Sequence, residues 1–214
     1  VFVYFLILLL FIISLLSKEK NQKNKIVNNN VSVIVCVRNG KNSLNNILND
    51  LKSQVYVGKI EFIIVDDNST DGTVSLVENI AKDYENIQFF LRKGLKKNLA
   101  NSINLGIQKS KYENIIWMDA DFQHPPDYFK SLHNYQNKYD LVFFSRFLKN
   151  SIRYFEIDKS KKELNENQSF FYNKLCNIFL YRDITDYTSG FVCVKRKVFE
   201  NYKLKGNYGD YFVN

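Results

Sequence analysis

Asp119 and Asp121 stand one residue apart, directly after the apolar run Ile115-Ile116-Trp117-Met118, and Gln123 follows close behind. Two carboxylates so near one another repel unless a cation or a proton intervenes. Hard divalent cations take oxygen ligands, and Mg²⁺ in particular is held by one or two carboxylates together with substrate phosphates. The pair, with Gln123 as a neutral oxygen donor, reads as a place for a metal-bound diphosphate. A solvated turn capping the helix that Pro125-Pro126 opens is the plainer alternative.

Other clusters carry weaker chemistry. Asp66-Asp67 follows Phe62-Ile63-Ile64-Val65. Acids at strand ends bind ribose hydroxyls or base N–H groups. A helix cap needs only one such residue, and Asp71 or Thr70 could supply it, so the paired acid favours binding. Cys36, Val37, Arg38, Asn39 and Gly40 leave the first apolar run and could present backbone groups to a base, or form an ordinary β–α loop. Phe144-Ser145-Arg146 ends a later run. Its guanidinium could clamp a diphosphate with paired donors, or lie on the surface. Asp186-Tyr187-Thr188-Ser189-Gly190-Phe191 has the hydroxyls and glycine of a tight loop near a ligand. Asp210 is either an acid or base for catalysis or a solvated helix-terminal acid.

These residues need a scaffold, and the apolar patterning supplies one. Continuous runs predict strands over Val31–Val37, Glu61–Val65, Ile87–Leu91, Asn114–Met118, Asp140–Ser145 and Phe191–Val194. Between them, apolar residues at helical spacing predict helices over Ser43–Gln54, Thr73–Tyr84, Asn98–Lys109, Pro126–Lys138 and Ser169–Tyr181, with a short helix near Phe199. A charged stretch, Asn150–Asn167, reads as a mobile loop. Strands alternating with helices predict a mostly parallel sheet covered on both faces. Ligands bind such sheets outside the carboxyl ends of the strands, where the acid clusters fall.

The chain has 214 residues, 45% of them hydrophobic, with net charge +8. That suffices for one α/β domain and permits an anionic nucleotide or anionic lipid as partner. Nucleic acid is not expected, since no zinc-finger spacing, RNA-binding aromatic signature or arginine stripe is present. Cys36, Cys176 and Cys193 show no C-x-x-C spacing and read as thiols of a reducing compartment. There is no G-x-G-x-x-G after the first strand, which argues against a dinucleotide dehydrogenase, and no P-loop. Residues Val1 to Leu16 are apolar apart from Ser14 and the hydroxyl of Tyr4. As a helix they would span roughly 24 Å, somewhat short of the ~30 Å bilayer core. A membrane anchor over 1–17 is expected, with a signal peptide as the competing reading. Lys18, Lys20, Lys23 and Lys25 begin a polar linker, 18–30, and place the following domain on the cytoplasmic side.

In order along the chain, VSVIVCVRN, EFIIVDDNSTDGT, NLANSINLGI, IIWMDADFQHPP, Ser145-Arg146, DYTSGF and GNYGDYF resemble the motifs of family 2 glycosyltransferases. They are most similar to the branch of dolichol- or polyprenyl-phosphate mannose and glucose synthases. The resemblance covers about Val31 to Phe212. It departs at Cys36, where the branch carries Pro, and at Gly40, where it carries an acid. It implies a GT-A (Rossmann-like) fold over 31–214, and because the branch continues past Asn214, a domain truncated at its C-terminus. It implies a nucleotide-diphospho-sugar donor, with Cys36, Arg38, Asn39, Val65 and Asp67 around the base and ribose. Asp119, Ala120 and Arg146 would face the diphosphate. Asp119, Asp121 and Gln123 would hold Mg²⁺ or Mn²⁺, with Asp121 the principal ligand. The implied reaction inverts the anomeric carbon, with polyprenyl phosphate as acceptor. A glycan or other hydroxyl acceptor is the alternative; it would need a base, for which Asp210 is the candidate. A non-catalytic nucleotide-sugar binding module is the remaining reading, disfavoured by the intact Asp119, Asp121, Gln123 and Arg146.

Overall fold

The computed structural model describes residues 30–53, 58–120, 135–136, 138–148, 170–180, 184–187 and 189–205. Strands β1 (Val31–Val37), β2 (Ile60–Asp66), β3 (Ile87–Leu91), β4 (Asn114–Asp119), β5 (Leu141–Phe143) and β6 (Val192–Lys195) form one sheet in the order β3-β2-β1-β4-β6-β5. β1 to β4 are mutually parallel, as expected. β6 runs antiparallel to both β4 and β5, so β5 again points the same way as β1 to β4.

Helices α1 (Lys41–Ser53), α2 (Thr73–Asp83) and α3 (Leu99–Lys109) connect the parallel strands. Every residue of β1 is buried, which explains why it reads as an unbroken apolar run and not an alternating one. Val33, Val35, Phe62, Ile64, Ile116 and Met118 face Leu44 and Leu48 of α1 and Val77 of α2. Ile34, Ile63, Val65, Ile115 and Trp117 face Ala100, Ile103 and Ile107 of α3 on the other side. Each fully buried aliphatic side chain in these layers contributes about 1.5–3 kcal/mol over an exposed one. α3 lies directly on β1: a Cβ at Gly106 would fall 2.5 Å from Ile34 Cγ2.

Strand order reverses beside β1. The chain moves outward through β2 and β3, then returns to place β4 on the other flank of β1. The loops leaving β1 and β4 therefore diverge, opening the crevice where such sheets bind ligands.

Element boundaries differ from the patterning at informative places. α1 begins at Lys41, not Ser43, because Asp71 Oδ2, thirty residues on, accepts the Lys41 N–H at 3.1 Å. β5 is shorter than the expected Asp140–Ser145. Asp140 is held by Lys195 and Lys197, and the Ser145 hydroxyl accepts from Thr185 at 2.7 Å. Residues 170–179 are helical, within the expected span, and Arg196–Phe199 is a 3₁₀ turn. The expected Pro126–Lys138 helix lies largely outside the described residues, as do the Asn150–Asn167 loop and the proposed anchor over 1–17. No helix among the described residues is long and apolar enough to cross a membrane.

Candidate functional site

A cleft of about 270 Å³ sits at the carboxyl edge of the sheet. Its lining includes Cys36, Arg38, Asn39, Asp67, Lys97, Asp119 and Ala120. Strand register explains part of this grouping. Val65, Cys36 and Asp119 stand abreast on β2, β1 and β4, so all three project to the α3 side. Cys36 and Asp119 reach the cleft, whereas Val65 is fully buried in the core beneath it.

The loop carrying Arg38 and Asn39 is fixed from the loop after β2. Asn39 adopts a left-handed conformation at φ 53°, a region that asparagine tolerates better than most residues. Its backbone N–H donates to Ser69 Oγ at 2.8 Å, and its side-chain oxygen accepts from the Thr70 N–H at 2.9 Å. Gly40 N–H donates to Thr73 Oγ1, and Ser43 Oγ donates to the carbonyl of Ala120. Asp71 takes the first N–H of α1 on one oxygen and the Thr73 N–H of α2 on the other, serving two helix starts at once. Desolvation pushes its carboxyl upward, but hydrogen bonds from Thr73 and Lys41 outweigh this and hold it below the ordinary carboxylate value.

The paired acids divide their work because adjacent strand residues face opposite sides. Asp66 is fully buried. One oxygen accepts the Ser69 N–H at 2.7 Å, shaping the turn, and the other has no hydrogen-bond partner. Asp67 lines the cleft. It accepts from the Arg92 guanidinium on one oxygen and from the Asn98 N–H at 2.8 Å on the other. Arg92, just past β3, is itself buried and donates further to the Asn98 and Lys96 carbonyls and to Ser102 Oγ. It locks β2, the β3–α3 loop and α3 together behind the cleft. Patterning alone misses Arg92, since one arginine after an apolar run reads as a surface residue. The available signal was a buried acid at the end of the neighbouring strand, which requires a counter-charge.

Asp67 and Asp119 both bring carboxylates near the Cys36 thiol in the cleft. Burial pushes the Cys36 thiol well above its ordinary value, the charges of Asp119 and Asp67 raise it further, and Arg92 offsets only part. Burial thus favours the protonated thiol. The Asp119 carboxylate is a hard oxygen donor suited to Mg²⁺ or Mn²⁺. Among the described residues no three His, Cys, Asp or Glu side chains are placed to hold a metal ion together, and Asp121 and Gln123, the other expected ligands, lie outside them. Asp210 lies outside them too.

Arg146 is not among the residues lining the cleft. Asp186 grips its guanidinium through two oxygens, at 2.8 and 3.0 Å, and also accepts the Arg146 backbone N–H at 3.1 Å. Two clusters read separately in the sequence are thus one unit. Since β5 runs with β1 to β4, this unit stands at the same sheet edge as the cleft. Asn173, in the 170–179 helix, accepts the Tyr187 N–H and ties that helix to it.

Comparison with known proteins agrees with this architecture. The chain is 26% identical over 185 residues to a dolichol-phosphate mannosyltransferase of Pyrococcus furiosus, covering 81% of this chain and 48% of that protein. It is 37% identical over 81 residues to the dolichol-phosphate mannosyltransferase of Saccharomyces cerevisiae, covering 36% of this chain and 30% of the relative. The chain therefore spans about half or less of these curated relatives. Among solved structures, a mannosyltransferase of Pyrobaculum calidifontis in complex with GDP-Man and Mn²⁺ superposes with a TM-score of 0.57. It is 17% identical and matched over 84% of this chain and 48% of that one. Glucosyl-3-phosphoglycerate synthase of Mycobacterium tuberculosis, in complex with Mn²⁺, UDP-Glc and phosphoglyceric acid, gives 0.58 at 13% identity, over 83% of this chain and 64% of that one. These likenesses show the GT-A-like fold. The family model for glycosyl transferase family 2 matches residues 32–203, and the chain belongs to that family.

Proposed function

We propose that the protein transfers a hexose from a nucleotide-diphospho-sugar to a polyprenyl phosphate, with inversion at the anomeric carbon. The observation that carries this reading is the placement of Asp67 and Asp119 on either side of Cys36 at the strand-order reversal, in a cleft whose wall also bears Arg38 and Lys97. Asp67, held rigid by Arg92, is set to receive hydroxyl or N–H groups of the nucleoside. Arg38 and Lys97 bring positive charge toward an anionic donor. The mannosyltransferase relatives and the GDP-Man and UDP-Glc complexes of the structural neighbours support a donor of this class.

Asp119, with Asp121 and Gln123, would hold Mg²⁺ or Mn²⁺, whose contribution is to neutralise charge on the departing diphosphate. An oxygen of the acceptor phosphate forms a bond to the anomeric carbon as the bond to the donor's β-phosphate oxygen breaks, and the nucleoside diphosphate leaves with the electron pair. A lipid phosphate is already anionic near neutral pH, so positioning matters more than a strong base. Arg146, oriented by Asp186, is the cation we assign to the phosphate side of this exchange. The apolar segment over 1–17 and the lysines after it support a membrane anchor, with the domain on the cytoplasmic face.

The test incubates the full chain with Mg²⁺ or Mn²⁺, a panel of nucleotide sugars and polyprenyl phosphate. Lipid-linked sugar should form, and should vanish in Asp121→Ala. Product that persists in this variant, or sugar passed only to hydroxyl acceptors, would overturn the assignment.

A further inference from the structure

The two edges of the sheet are finished differently. β5 is three residues long, and Asp140 before it is held in ion pairs by Lys195 and Lys197. Shortness and charge of this kind blunt an edge strand against pairing with other chains. β3, at the opposite edge, has neither protection. Its five residues, Ile87-Gln88-Phe89-Phe90-Leu91, include no proline and no charged side chain, and their register with β2 is unbroken by a bulge. The Asn86 carbonyl and the Arg92 N–H turn toward β2. Backbone groups alternate along a strand, so those of Phe89 and Leu91, with the Ile87 carbonyl, point outward, where no described strand pairs with them. Charge is sorted along this edge. Glu85 precedes β3 and Lys93 follows it; both are exposed, and neither has an ion-pair partner among the described residues.

We infer that β3 is the contact between two copies of this chain, paired antiparallel about a two-fold axis at Phe89. The register follows from the residues. With Phe89 opposite its own copy, the Phe89 pair exchanges both of its bonds, and each Leu91 N–H donates to the partner's Ile87 carbonyl. Ile87, Phe89 and Leu91 share one face of the strand, so the apolar rows of the two copies lie side by side and cover Leu91, which is 37% exposed in the single chain. The same register sets Glu85 of each copy against the partner's Lys93, since each stands four residues from Phe89. A parallel arrangement would put acid beside acid and lysine beside lysine. A two-fold contact of this kind closes on itself and stops at a dimer. One five-residue strand pair is smaller than a standard-size interface, so the association depends on concentration. Lys93 adjoins Arg92, which anchors the Asp67 side of the cleft, but the contact itself does not rest on the transferase reading.

The test is sedimentation velocity of the full chain in detergent micelles over a range of concentrations. The wild type should pass from monomer to dimer. Glu85→Lys and Lys93→Glu should each weaken the dimer at least about tenfold, because each sets like charges against one another twice across the contact. An equimolar mixture of the two variants should recover the dimer, since every facing pair is again lysine with glutamate. The double variant should recover it too, which shows that neither substitution disturbs the fold. Single variants that dimerise as the wild type does would overturn the inference by placing the contact elsewhere, the N-terminal segment included. So would a mixture that stays monomeric. So would a wild type that stays monomeric up to about 100 μM, the result expected if a strand of a different protein or another segment of this chain covers β3. Sugar transfer by a strictly monomeric chain would sink this contact and leave the transferase reading standing. A dimer with this charge pattern that transfers no sugar would do the opposite.

Discussion

Two arginine–aspartate pairs stand at the same edge of the sheet and are built in opposite ways. In Arg92–Asp67 both side chains are buried, at 6% and 8% exposure, and the arginine points away from the cleft to bind loops together. In Arg146–Asp186 the acid is fully buried and the arginine is 42% exposed. The first pair presents a carboxylate whose position is set by its cation. The second presents a cation whose position is set by its carboxylate. Between them the sheet edge offers a fixed anion on the side of β1 and β2 and a fixed cation beyond β4, which suits one molecule with hydroxyl donors at one end and a phosphate acceptor group at the other.

The largest expected effect breaks the buried pair. Arg92→Met leaves Asp67 charged and unpaired, and should cost about 3–5 kcal/mol in urea unfolding. Nucleotide affinity should fall with it, since the β3–α3 loop loses its anchor. Gly106→Ala tests the same half without touching charge. The new methyl group collides with Ile34 and must shift α3, for about 1–3 kcal/mol by the same measurement. If α3 carries Ser102 away from Arg92, donor binding weakens as well. Arg146→Lys should cost only about 1 kcal/mol, because the arginine end of the pair is open to solvent and lysine retains the charge beside the buried Asp186. It loses the two-oxygen grip, so sugar transfer should drop far more than stability or nucleotide binding. A parallel loss in all three would erase the contrast between the pairs.

The smallest effect concerns pH. The Asp71 carboxyl is held below its ordinary value of 3.8, so its contribution is complete above that value and is lost as pH falls through its lowered pKa. Urea midpoints followed downward from neutral pH should show an acid-side decline that is shallower in Asp71→Asn. Because the residue is exposed, the difference should stay below about 1 kcal/mol.

Much of the parallel half was legible from apolar runs alone. β1 and β3 match the patterning residue for residue; β1, buried throughout, leaves an uninterrupted apolar signature, and the partly buried edge strand β3 is marked by its bulky Ile, Phe and Leu. The cleft residues Cys36, Arg38, Asn39, Asp67, Asp119 and Ala120 were legible as strand-end positions. Three features were not. The reversed direction of β6 leaves no mark in Val192-Cys193-Val194, since hydrophobicity carries no polarity. The Arg146–Asp186 pair joins residues 40 positions apart, beyond any local pattern. Arg92 carries no local signal, because its partner Asp67 comes from the neighbouring strand. Asp121, Gln123 and Asp210 fall outside the described residues, and their assignment stays with the proposal.

The antiparallel β6 also dictates an order of assembly. Among the described strands β5 joins the sheet through β6, although it precedes β6 in the chain. On a ribosome the four parallel strands can close as soon as Asp119 emerges, while Leu141–Phe143 must wait for Val192–Lys195. A nascent chain halted in that interval would leave Leu141–Phe143 and the outer flank of β4 without the strand that pairs with both.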